Sequence, residues 1–304
     1  MKRIWKMSSV LLSACLGLGV CACGGDNSQG NGANKEGAFN PVPETLKVLA
    51  IGNSFSDDTM EYVGKIAQSL GVKEIKLGNL YIGGCSIERH YWNAASDSAA
   101  YEYRVNDDGQ WHTTPAYKIS DAVKSEDWQY ITFQQASGSS GMEETYEKLG
   151  DLLALVRGWA SENTKFAWNM TWAYQQDSTH NEFYKYNNDQ TTMYEAITST
   201  VQKLILPRKD ISLVIPTGTA IQNARTSVLG DTLTRDGFHL SIPCGRYVAG
   251  LTLFAAITGA DVRDISYYPG AYVAEEIKKA AVEAAVNAVK TPFAVTKSTV
   301  TSKA

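Results

Sequence analysis

The sequence has few of the side chains on which metal and redox sites depend. Its 304 residues include only four histidines and five cysteines, and only two of those cysteines lie beyond residue 23. No Cys-x-x-Cys pair follows that point, no His-Glu-x-x-His is present, and the histidines lack metal-ligand spacing. No G-x-x-x-x-G-K-[ST] phosphate loop occurs, and no G-x-G-x-x-G opens a helix after a strand. We therefore expect no metal site and no cofactor.

The chain also lacks an excess of basic residues. Lys and Arg together number 28 and Asp and Glu 32, which gives a formal net charge of −4. Proteins that bind nucleic acids usually carry an excess of basic residues that contact the phosphate groups. This chain has no such excess, so we expect no nucleic-acid partner. The apolar fraction of 44% and the aromatic fraction of 10% are sufficient for a sizeable folded core.

The beginning of the chain is typical of an exported protein. Lys2, Arg3 and Lys6 precede the apolar stretch Met7–Ala22, which is shorter than the roughly 20 residues that a membrane-spanning helix needs. We therefore predict a signal peptide over residues 1–22. It is either a lipoprotein signal or a plain secretory signal.

The end of this stretch, V-C-A-C-G-G, resembles a bacterial lipobox in which Cys23 is the lipidated residue. Leu12–Cys15 also matches lipobox letters, but it leaves too short an apolar region before the cysteine. Residues 23–44 are rich in Gly, Asn and Ser, a composition typical of a flexible tether. The expected location is the bacterial cell envelope, at the periplasmic face or the cell surface, with the lipid anchor as the only membrane contact.

Five runs with strand character alternate with helical patterns along the rest of the chain. The runs are Leu46–Gly52, Ile75–Ile82, Trp128–Phe133, Lys165–Met170 and Ile211–Ile215. This alternation is typical of a parallel sheet with helices on both faces. Asp108 and Gly109, between two alternating segments, predict a β-hairpin that we expect to stand apart from the sheet. We predict one domain over residues 45–290 and a frayed tail over 291–304.

A serine follows the first predicted strand. Ser54 lies two residues after Gly52, and Asp57 and Asp58 then open a helical pattern. Open α/β sheets bind ligands at this edge, where the N–H groups of a helix end can assist a serine nucleophile. A serine in this place is also an ordinary helix N-cap, so this stretch alone leaves both roles open.

Other reactive groups follow the other predicted strands, whose carboxyl ends meet at the same edge of a parallel sheet. Asp236 and His239 are three residues apart, a spacing at which one tight turn brings the carboxylate to the imidazole. Gly84 follows the second strand and permits close backbone approach. Gln134 and Gln135 end the third strand, and either amide could donate to an oxyanion.

The order of these groups along the chain resembles the SGNH (GDSL-type) hydrolase superfamily. The most similar stretches are I-G-N-S-F-S at residues 51–56 and R-D-G-F-H-L-S at residues 235–241. Within the superfamily, the chain looks like a lipoprotein-rich branch marked by G-N-S-F-S, I-G-G-C-S, Q-Q-A-S and R-D-G-x-H-L-S, and all four motifs are present. The resemblance implies a flavodoxin-like three-layer α/β/α fold around a five-stranded parallel sheet.

The resemblance also implies roles for individual residues. Ser54 would be the nucleophile, His239 the general base and Asp236 its orienting partner. The oxyanion hole would consist of the backbone N–H groups of Ser54 and Gly84 and the side chain of Gln135, with Gln134 as the alternative. The sequence departs from the superfamily's motifs at two positions. Asn53 replaces the usual acidic residue, and a glutamine replaces the usual asparagine.

The expected function is that of a serine esterase that removes O-acetyl or similar short acyl groups from a carbohydrate. Trp92, Trp172 and Tyr174 could stack against a sugar, and Arg89 could bind a carboxylate, but packing is the expected role of the three aromatic residues and a surface salt bridge is the expected role of Arg89. Because the sequence departs from the superfamily's motifs at these two positions, the alternative function is that of a catalytically weak, glycan-binding lipoprotein. A phosphodiester or thioester substrate is a further option. Whether Cys85 and Cys244 form a disulfide stays open.

Overall fold

The structure, a computed structural model, describes residues 39–270 and 274–301. The predicted signal peptide (residues 1–22), the predicted lipidation site Cys23 and the tether up to residue 38 lie outside the described residues. Across the described residues, no helix combines the length and the apolar character that a membrane span requires.

Within the described residues, one seven-stranded sheet forms the centre of the fold, with its strands in the order β4-β3-β2-β1-β5-β6-β7. The strands are β1 (Thr45–Gly52), β2 (Glu74–Tyr81), β3 (Tyr101–Asn106), β4 (His112–Tyr117), β5 (Tyr130–Phe133), β6 (Lys165–Asn169) and β7 (Leu213–Ile215). The strands β2, β1, β5, β6 and β7 are parallel and correspond to the five predicted runs.

The hairpin of β3 and β4 belongs to the sheet. β3 pairs antiparallel with β2, with Gly78 opposite Val105, and β4 pairs antiparallel with β3. The expectation that the hairpin stands apart from the sheet is therefore wrong. The physical reason is that the free edge of β2 offers unpaired backbone N–H and C=O groups, which β3 satisfies.

Helices cover both faces of the sheet, as the predicted three-layer α/β/α fold requires. In the described part of the chain they are α1 (Ser54–Met60), α2 (Val63–Ser69), α3 (Ile87–Ala95), α4 (Ile119–Lys124), α5 (Leu149–Arg157), α6 (Gln190–Leu204), α7 (Thr217–Arg225), α8 (Cys244–Thr258) and α9 (Glu275–Lys290). α1, α2, α7, α8 and α9 form one packed group, and α3, α4 and α5 form another. The predicted fold class is confirmed, with seven strands instead of five.

The core lies on both sides of the parallel strands. In β1 the consecutive residues Val48, Leu49, Ala50 and Ile51 are each no more than 1% exposed. A strand buried on both faces has no polar alternation, and this explains why β1 appears in the sequence as a continuous apolar run. Such a strand has one register in the sheet, so the residue that follows its carboxyl end has a fixed position.

The described part of the tail, residues 291–301, packs against the end of α7. The Val228 N–H donates to the Val300 carbonyl at 2.8 Å, and the Thr296 N–H donates to Asn223 Oδ1 at 2.7 Å. These residues are therefore bound to the domain, and fraying is not what the structure shows for them. Their Thr- and Ser-rich composition gave no indication of these partners, because the bonds join segments about 70 residues apart in sequence.

Candidate active site

A cleft opens at the carboxyl edge of the parallel strands and encloses about 410 Å³. The loops after β1, β2, β5 and β6, the loop between α7 and α8, and the start of α8 line it. Its lining comprises Asn53, Ser54, Phe55, Asp57, Asp58, Tyr81, Gly83, Gly84, Ala136, Ser137, His180, Glu182, Arg235, Phe238, His239 and Arg246. We call this space the catalytic cleft.

Three side chains in and beside the cleft form one hydrogen-bonded series. His239 Nδ1 lies 2.7 Å from Asp236 Oδ2, and His239 Nε2 lies 2.8 Å from Ser54 Oγ. An ionised carboxylate can only accept, so Nδ1 carries the imidazole proton and Nε2 accepts from the Ser54 hydroxyl. The structure thus brings together the three residues that the sequence nominated, although Ser54 and His239 are 185 residues apart.

The turn that joins Asp236 to His239 depends on Gly237. This glycine has φ +89°, a left-handed conformation that residues with a side chain rarely adopt, and a Cβ there would lie 2.9 Å from Ser178 Oγ. Asp236 Oδ1 accepts the His239 N–H at 2.8 Å, which closes the turn. Burial raises the pKa of Asp236, but the hydrogen bonds from His239 and the turn N–H groups outweigh it and hold that pKa below the usual range. The carboxylate is therefore charged at neutral pH.

Asn53, and not Ser54, caps the first helix. Asn53 Oδ1 accepts the Phe55 N–H at 2.9 Å and the Gln134 amide at 2.9 Å, while Asn53 Nδ2 donates to the Cys85 carbonyl at 3.1 Å. This resolves the choice that the sequence left open, because Ser54 is the first helical residue and its hydroxyl is free to bond to His239. An aspartate at position 53 has no amide to donate to Cys85, so the departure from the superfamily pattern has a structural use here.

A buried carboxylate holds the loop that carries His239. Asp58 is fully buried and accepts the Leu240 N–H at 2.7 Å, Arg246 Nε at 2.8 Å and Arg235 Nη1 at 3.0 Å. Asp58 lies four residues after Ser54 on α1, so it shares a helix face with the serine. The same seven-residue helix therefore carries Ser54 and fixes the position of its histidine partner.

Two backbone N–H groups are available at the mouth of the cleft. Gly84 lies in the turn after β2 with φ +61°, and Ser54 begins α1. Within the described residues, neither the Gly84 N–H nor the Ser54 N–H donates to another group. Free N–H groups beside a serine hydroxyl are suited to bind a developing oxyanion.

Gln135 does not reach this position. Its Nε2 donates to the carbonyl and to the hydroxyl of Thr145 at 2.9 and 3.0 Å, and its Oε1 accepts the N–H groups of Ile87 and Ala136. The expectation that Gln135 completes the oxyanion hole is therefore corrected, because the amide is committed to joining three loops. The alternative, Gln134, is 2% exposed, donates to Asn53 and does not line the cleft.

None of the four residues suggested for substrate binding lines the catalytic cleft. Trp172 is fully buried, stacks on Phe55 with ring centroids 4.1 Å apart, and donates to the Phe238 carbonyl at 2.7 Å. Tyr174 is also fully buried and bonds to the Ser137 hydroxyl at 2.8 Å. Both side chains therefore pack behind residues that line the cleft. Trp92 and Arg89 lie exposed on α3, outside the cleft.

The sequence did not identify several residues that the structure places in or behind the cleft. Four of these residues, Tyr81, Ser137, His180 and Glu182, line the cleft. Asp58 had the clearest available signal, because two adjacent acidic residues followed the serine and only one was needed to start a helix. His180 and Glu182 belong to the irregular segment between β6 and α6, where no periodic pattern indicates which side chains face a site.

The two cysteines of the described domain are free. Cys85 is buried in the turn after Gly84, and burial raises the pKa of its thiol to about 12. Cys244 begins α8, and burial raises the pKa of its thiol to about 11. Both thiols are therefore protonated at neutral pH and are poor nucleophiles. Among the described residues, no cluster of His, Cys, Asp and Glu is arranged to hold a metal ion.

Comparison with known proteins adds a family to this geometry. A family model described as "Domain of unknown function (DUF4886)" matches residues 47–288. A DUF4886 family protein from Bacteroides uniformis, known from a crystal structure, is similar at 40% sequence identity and a TM-score of 0.79, over 83% of this chain and 98% of that one. No curated protein matches the sequence.

Two other solved structures are more distant. A candidate SGNH hydrolase from Slackia heliotrinireducens is 17% identical, with a TM-score of 0.42 over 69% of this chain and 97% of that one. A catalytic mutant of Axe2, an acetylxylan esterase from Geobacillus stearothermophilus, is 12% identical, with a TM-score of 0.42 over 72% of this chain and 95% of that one.

Proposed function

The chain belongs to the DUF4886 family, and we propose that it is a serine esterase of the SGNH type that removes short acyl groups, acetyl above all, from a carbohydrate. One observation carries the proposal. The Ser54 hydroxyl lies 2.8 Å from His239 Nε2 in an open cleft, and Asp236 holds the other imidazole nitrogen at 2.7 Å. A serine hydroxyl bonded to a carboxylate-oriented imidazole is the arrangement by which a weak nucleophile is activated for acyl transfer.

The reaction takes place in two steps. In the first, His239 Nε2 takes the proton of Ser54 Oγ while Oγ bonds to the ester carbonyl carbon. The backbone N–H groups of Ser54 and Gly84 stabilise the oxyanion, and the imidazolium then protonates the leaving alcohol as the ester C–O bond breaks. In the second step, water attacks the acyl-serine, His239 takes a water proton, and Ser54 regains a proton as the carboxylic acid leaves.

The lining of the cleft supports a polyhydroxylated alcohol as the leaving group. Tyr81, Ser137, His180 and Glu182 line the cleft and offer phenol, hydroxyl, imidazole and carboxylate groups. Burial lowers the pKa of His180, so its imidazole is neutral at pH 7. His180 Nδ1 accepts the Glu182 N–H at 3.2 Å, so Nε2 carries the proton and can donate to the substrate. Such a lining suits sugar hydroxyls better than the long alkyl chain of a lipid ester.

The experiment combines covalent labelling with turnover. We expect a fluorophosphonate probe to label Ser54, and p-nitrophenyl acetate to be hydrolysed at a rate that Ser54→Ala lowers by about 10⁴-fold or more. His239→Ala should abolish both signals. Ser137→Ala is the matched control, because Ser137 lines the same cleft but bonds to Tyr174 and not to His239, so Ser54 should still be labelled. Wild-type turnover no faster than that of Ser54→Ala would refute the esterase.

One observation favours the alternative function, a glycan-binding protein with weak turnover. The amide of Gln135 is bonded to Thr145, so the oxyanion hole lacks the side-chain donor that the superfamily uses. Loss of one such donor typically costs about 2.7–4 kcal/mol of transition-state stabilisation. Binding of an acetylated oligosaccharide by a wild-type protein that hydrolyses no ester would support this alternative.

We also propose that the protein is exported and anchored to the cell envelope through a lipid on Cys23. The proposal rests on the basic and apolar character of residues 1–22 and on the V-C-A-C-G-G sequence. Metabolic labelling with an alkyne fatty acid should mark the wild-type protein, and Cys23→Ala should lose the label and leave the membrane fraction. Cys15→Ala is the control that tests the other lipobox-like site.

A further inference from the structure

Tyr81 contributes a polar group to the catalytic cleft to which the two reaction steps assign no role. It is the last residue of β2, and it lines the cleft together with Ser54. Its side chain is half-buried, and its hydroxyl has no hydrogen-bond partner among the described residues. The hydroxyl is not enclosed by protein, in contrast to the unpartnered indole N–H of Trp111, so a ligand in the cleft can reach it.

The Tyr81 hydroxyl lies beside the turn that carries a free backbone donor. A Cβ on Gly83 would lie 3.4 Å from Tyr81 Oη, and Gly83 directly precedes Gly84, whose N–H donates to no other described residue. The strands β1 and β2 are parallel, with Gly52 opposite Tyr81. Ser54 and Gly83 each follow these paired residues by two positions, so both lie at the same edge of the sheet. The phenol therefore extends along its strand toward the edge at which Ser54 lies.

The hairpin fixes the orientation of the Tyr81 ring. Arg104, on β3, lines a second pocket of about 330 Å³ between the hairpin and α1. Its guanidinium carbon lies 3.7 Å from the centroid of the Tyr81 ring, and the guanidinium bonds to Asp57 and Glu102. Asp57 follows Ser54 by three residues, so the two share a face of α1. The same guanidinium therefore joins the phenol to the helix that carries the nucleophile.

The other side-chain donors that line the cleft are engaged elsewhere. The Asn53 amide donates to a backbone carbonyl, and the Ser137 hydroxyl is bonded to a buried tyrosine. The two arginines of the cleft bond to a buried carboxylate, and the His180 ring packs on the residue before the catalytic histidine. Among these cleft-lining side chains, Tyr81 is the donor that is both unpaired and next to the Gly84 turn.

We infer that the Tyr81 hydroxyl is the side-chain donor of the oxyanion hole, where it acts with the backbone N–H groups of Ser54 and Gly84. This inference rests on the proposed function. The phenol O–H donates to the acyl oxygen of the ester, and this bond becomes stronger as the carbonyl C=O converts to C–O⁻. The phenol keeps its proton, so proton transfer stays between Ser54, His239, the leaving alcohol and water. Tyr81 is a catalytic residue in this arrangement, because it touches the reacting oxygen.

The first test removes only the hydroxyl. Tyr81→Phe keeps the ring on which Arg104 stacks, and the hydroxyl has no protein partner to lose, so the melting temperature should not change. With p-nitrophenyl acetate, we expect kcat/KM to decrease about 10²–10³-fold, because one oxyanion donor is lost. A decrease of less than about tenfold would overturn the inference.

The second test identifies the atom that the hydroxyl contacts. In p-nitrophenyl thionoacetate, sulfur replaces the carbonyl oxygen, and sulfur is the weaker hydrogen-bond acceptor. The ratio of kcat/KM for the ester to kcat/KM for the thionoester should therefore be about fivefold or more smaller in Tyr81→Phe than in the wild type. A merely structural role of the phenol would lower both rates by the same factor. An equal ratio in the two proteins would overturn the inference.

Tyr184→Phe is the matched control, because it removes the same atom from a tyrosine that is 66% exposed and lies outside the cleft. Its kinetic constants and its ratio of ester to thionoester turnover should equal those of the wild type. A loss in Tyr184→Phe as large as the loss in Tyr81→Phe would also overturn the inference.

Covalent labelling separates failure of the donor from failure of the esterase. The phosphoryl oxygen of a fluorophosphonate enters the oxyanion hole as Ser54 attacks phosphorus, so the labelling rate depends on the same donors without ester turnover. Tyr81→Phe should slow this labelling about tenfold or more and still reach completion, because Ser54 and His239 are intact. This result supports the donor even if the wild type hydrolyses no ester, an outcome that refutes only the esterase. Equal labelling rates in the two proteins, or no labelling of either, refute the inference.

Discussion

Ser54 and Asp58 lie one helical turn apart on α1, and both bond to the loop that carries the imidazole. Ser54 Oγ lies 2.8 Å from His239 Nε2, and Asp58 Oδ2 accepts the N–H of the next residue, Leu240, at 2.7 Å. Because one rigid turn of helix separates the two bonds, the distance between serine and imidazole does not depend on loop flexibility. This arrangement pre-positions the two groups for proton transfer.

Asp58→Asn should therefore lower kcat for p-nitrophenyl acetate by about 10–100-fold with little change in KM, because a small displacement of the base is sufficient to slow proton transfer. It should also lower the free energy of unfolding by about 3 kcal/mol, since two arginines lose their buried partner. Assays well below the melting temperature separate the two effects. Asp57→Asn is the control, because Asp57 bonds to Arg104 and Asn79 and not to the His239 loop. An equal loss of kcat in both variants would contradict the assignment.

Asp236→Asn should lower kcat by about 10²–10⁴-fold, because an amide facing His239 Nδ1 favours the wrong tautomer of the imidazole. The free energy of unfolding should change little, since the Asp236 side chain is 41% exposed and its bonds lie within a four-residue turn. Stopped assays with p-nitrophenyl acetate and thermal unfolding measure the two quantities. A decrease in kcat of less than threefold would exclude Asp236 as the orienting residue.

Gln135→Ala should affect stability and not catalysis. Its four hydrogen bonds hold the loops around Ile87, Ala136 and Thr145, and loss of a buried amide leaves groups unpaired at a cost of about 1–3 kcal/mol. We expect kcat to change less than about threefold, whereas loss of an oxyanion donor would lower it about 10²–10³-fold. Urea unfolding and kcat on the same preparation decide between the two roles.

His90 should make the fold sensitive to acid. Burial, with a smaller contribution from the charge of Arg89, lowers the pKa of His90 to about 3. Between that value and the unfolded pKa near 6.5, the unfolded chain binds a proton that the folded chain does not, so stability falls as the pH falls. At pH 4.5 this contribution is about 2–3 kcal/mol.

Urea unfolding at pH 7.0 and pH 4.5 measures this contribution. The asparagine of His90→Asn cannot titrate. Between pH 7.0 and pH 4.5, the free energy of unfolding of this variant should therefore decrease by about 2–3 kcal/mol less than that of the wild type. His112→Asn is the control, because His112 is an exposed residue of the hairpin. The same pH dependence in wild type and His90→Asn would show that His90 is not the cause.

Local patterns were sufficient for much of the fold. The apolar runs located all five parallel strands, because strands buried on both faces must be continuously apolar. The contact between Asp236 and His239 also followed from the sequence, since a four-residue turn with a central glycine brings the two side chains together without help from the rest of the chain. Such features depend on residues that are neighbours in sequence.

The direction in which a loop side chain faces was not predictable. Gln135 lies at a strand end as expected, but its amide faces Thr145, and Trp172 and Tyr174 lie beneath the cleft instead of in it. These outcomes depend on which loops from other strands pack beside each one. Hydrophobic periodicity does not predict which loops pack together, because loop sequences are not periodic.

The sequence by itself determined the strands, the glycine turn and the chemical types of the groups at the carboxyl edge. The tertiary structure alone decided that Ser54 bonds to His239, that Asp58 holds the loop that carries His239, and that a hairpin adds a second pocket beside α1. The physical reason is distance along the chain. Covalent geometry and local periodicity act over a few residues, whereas Ser54 and His239 are 185 residues apart and meet only because the packed sheet leaves each strand one position.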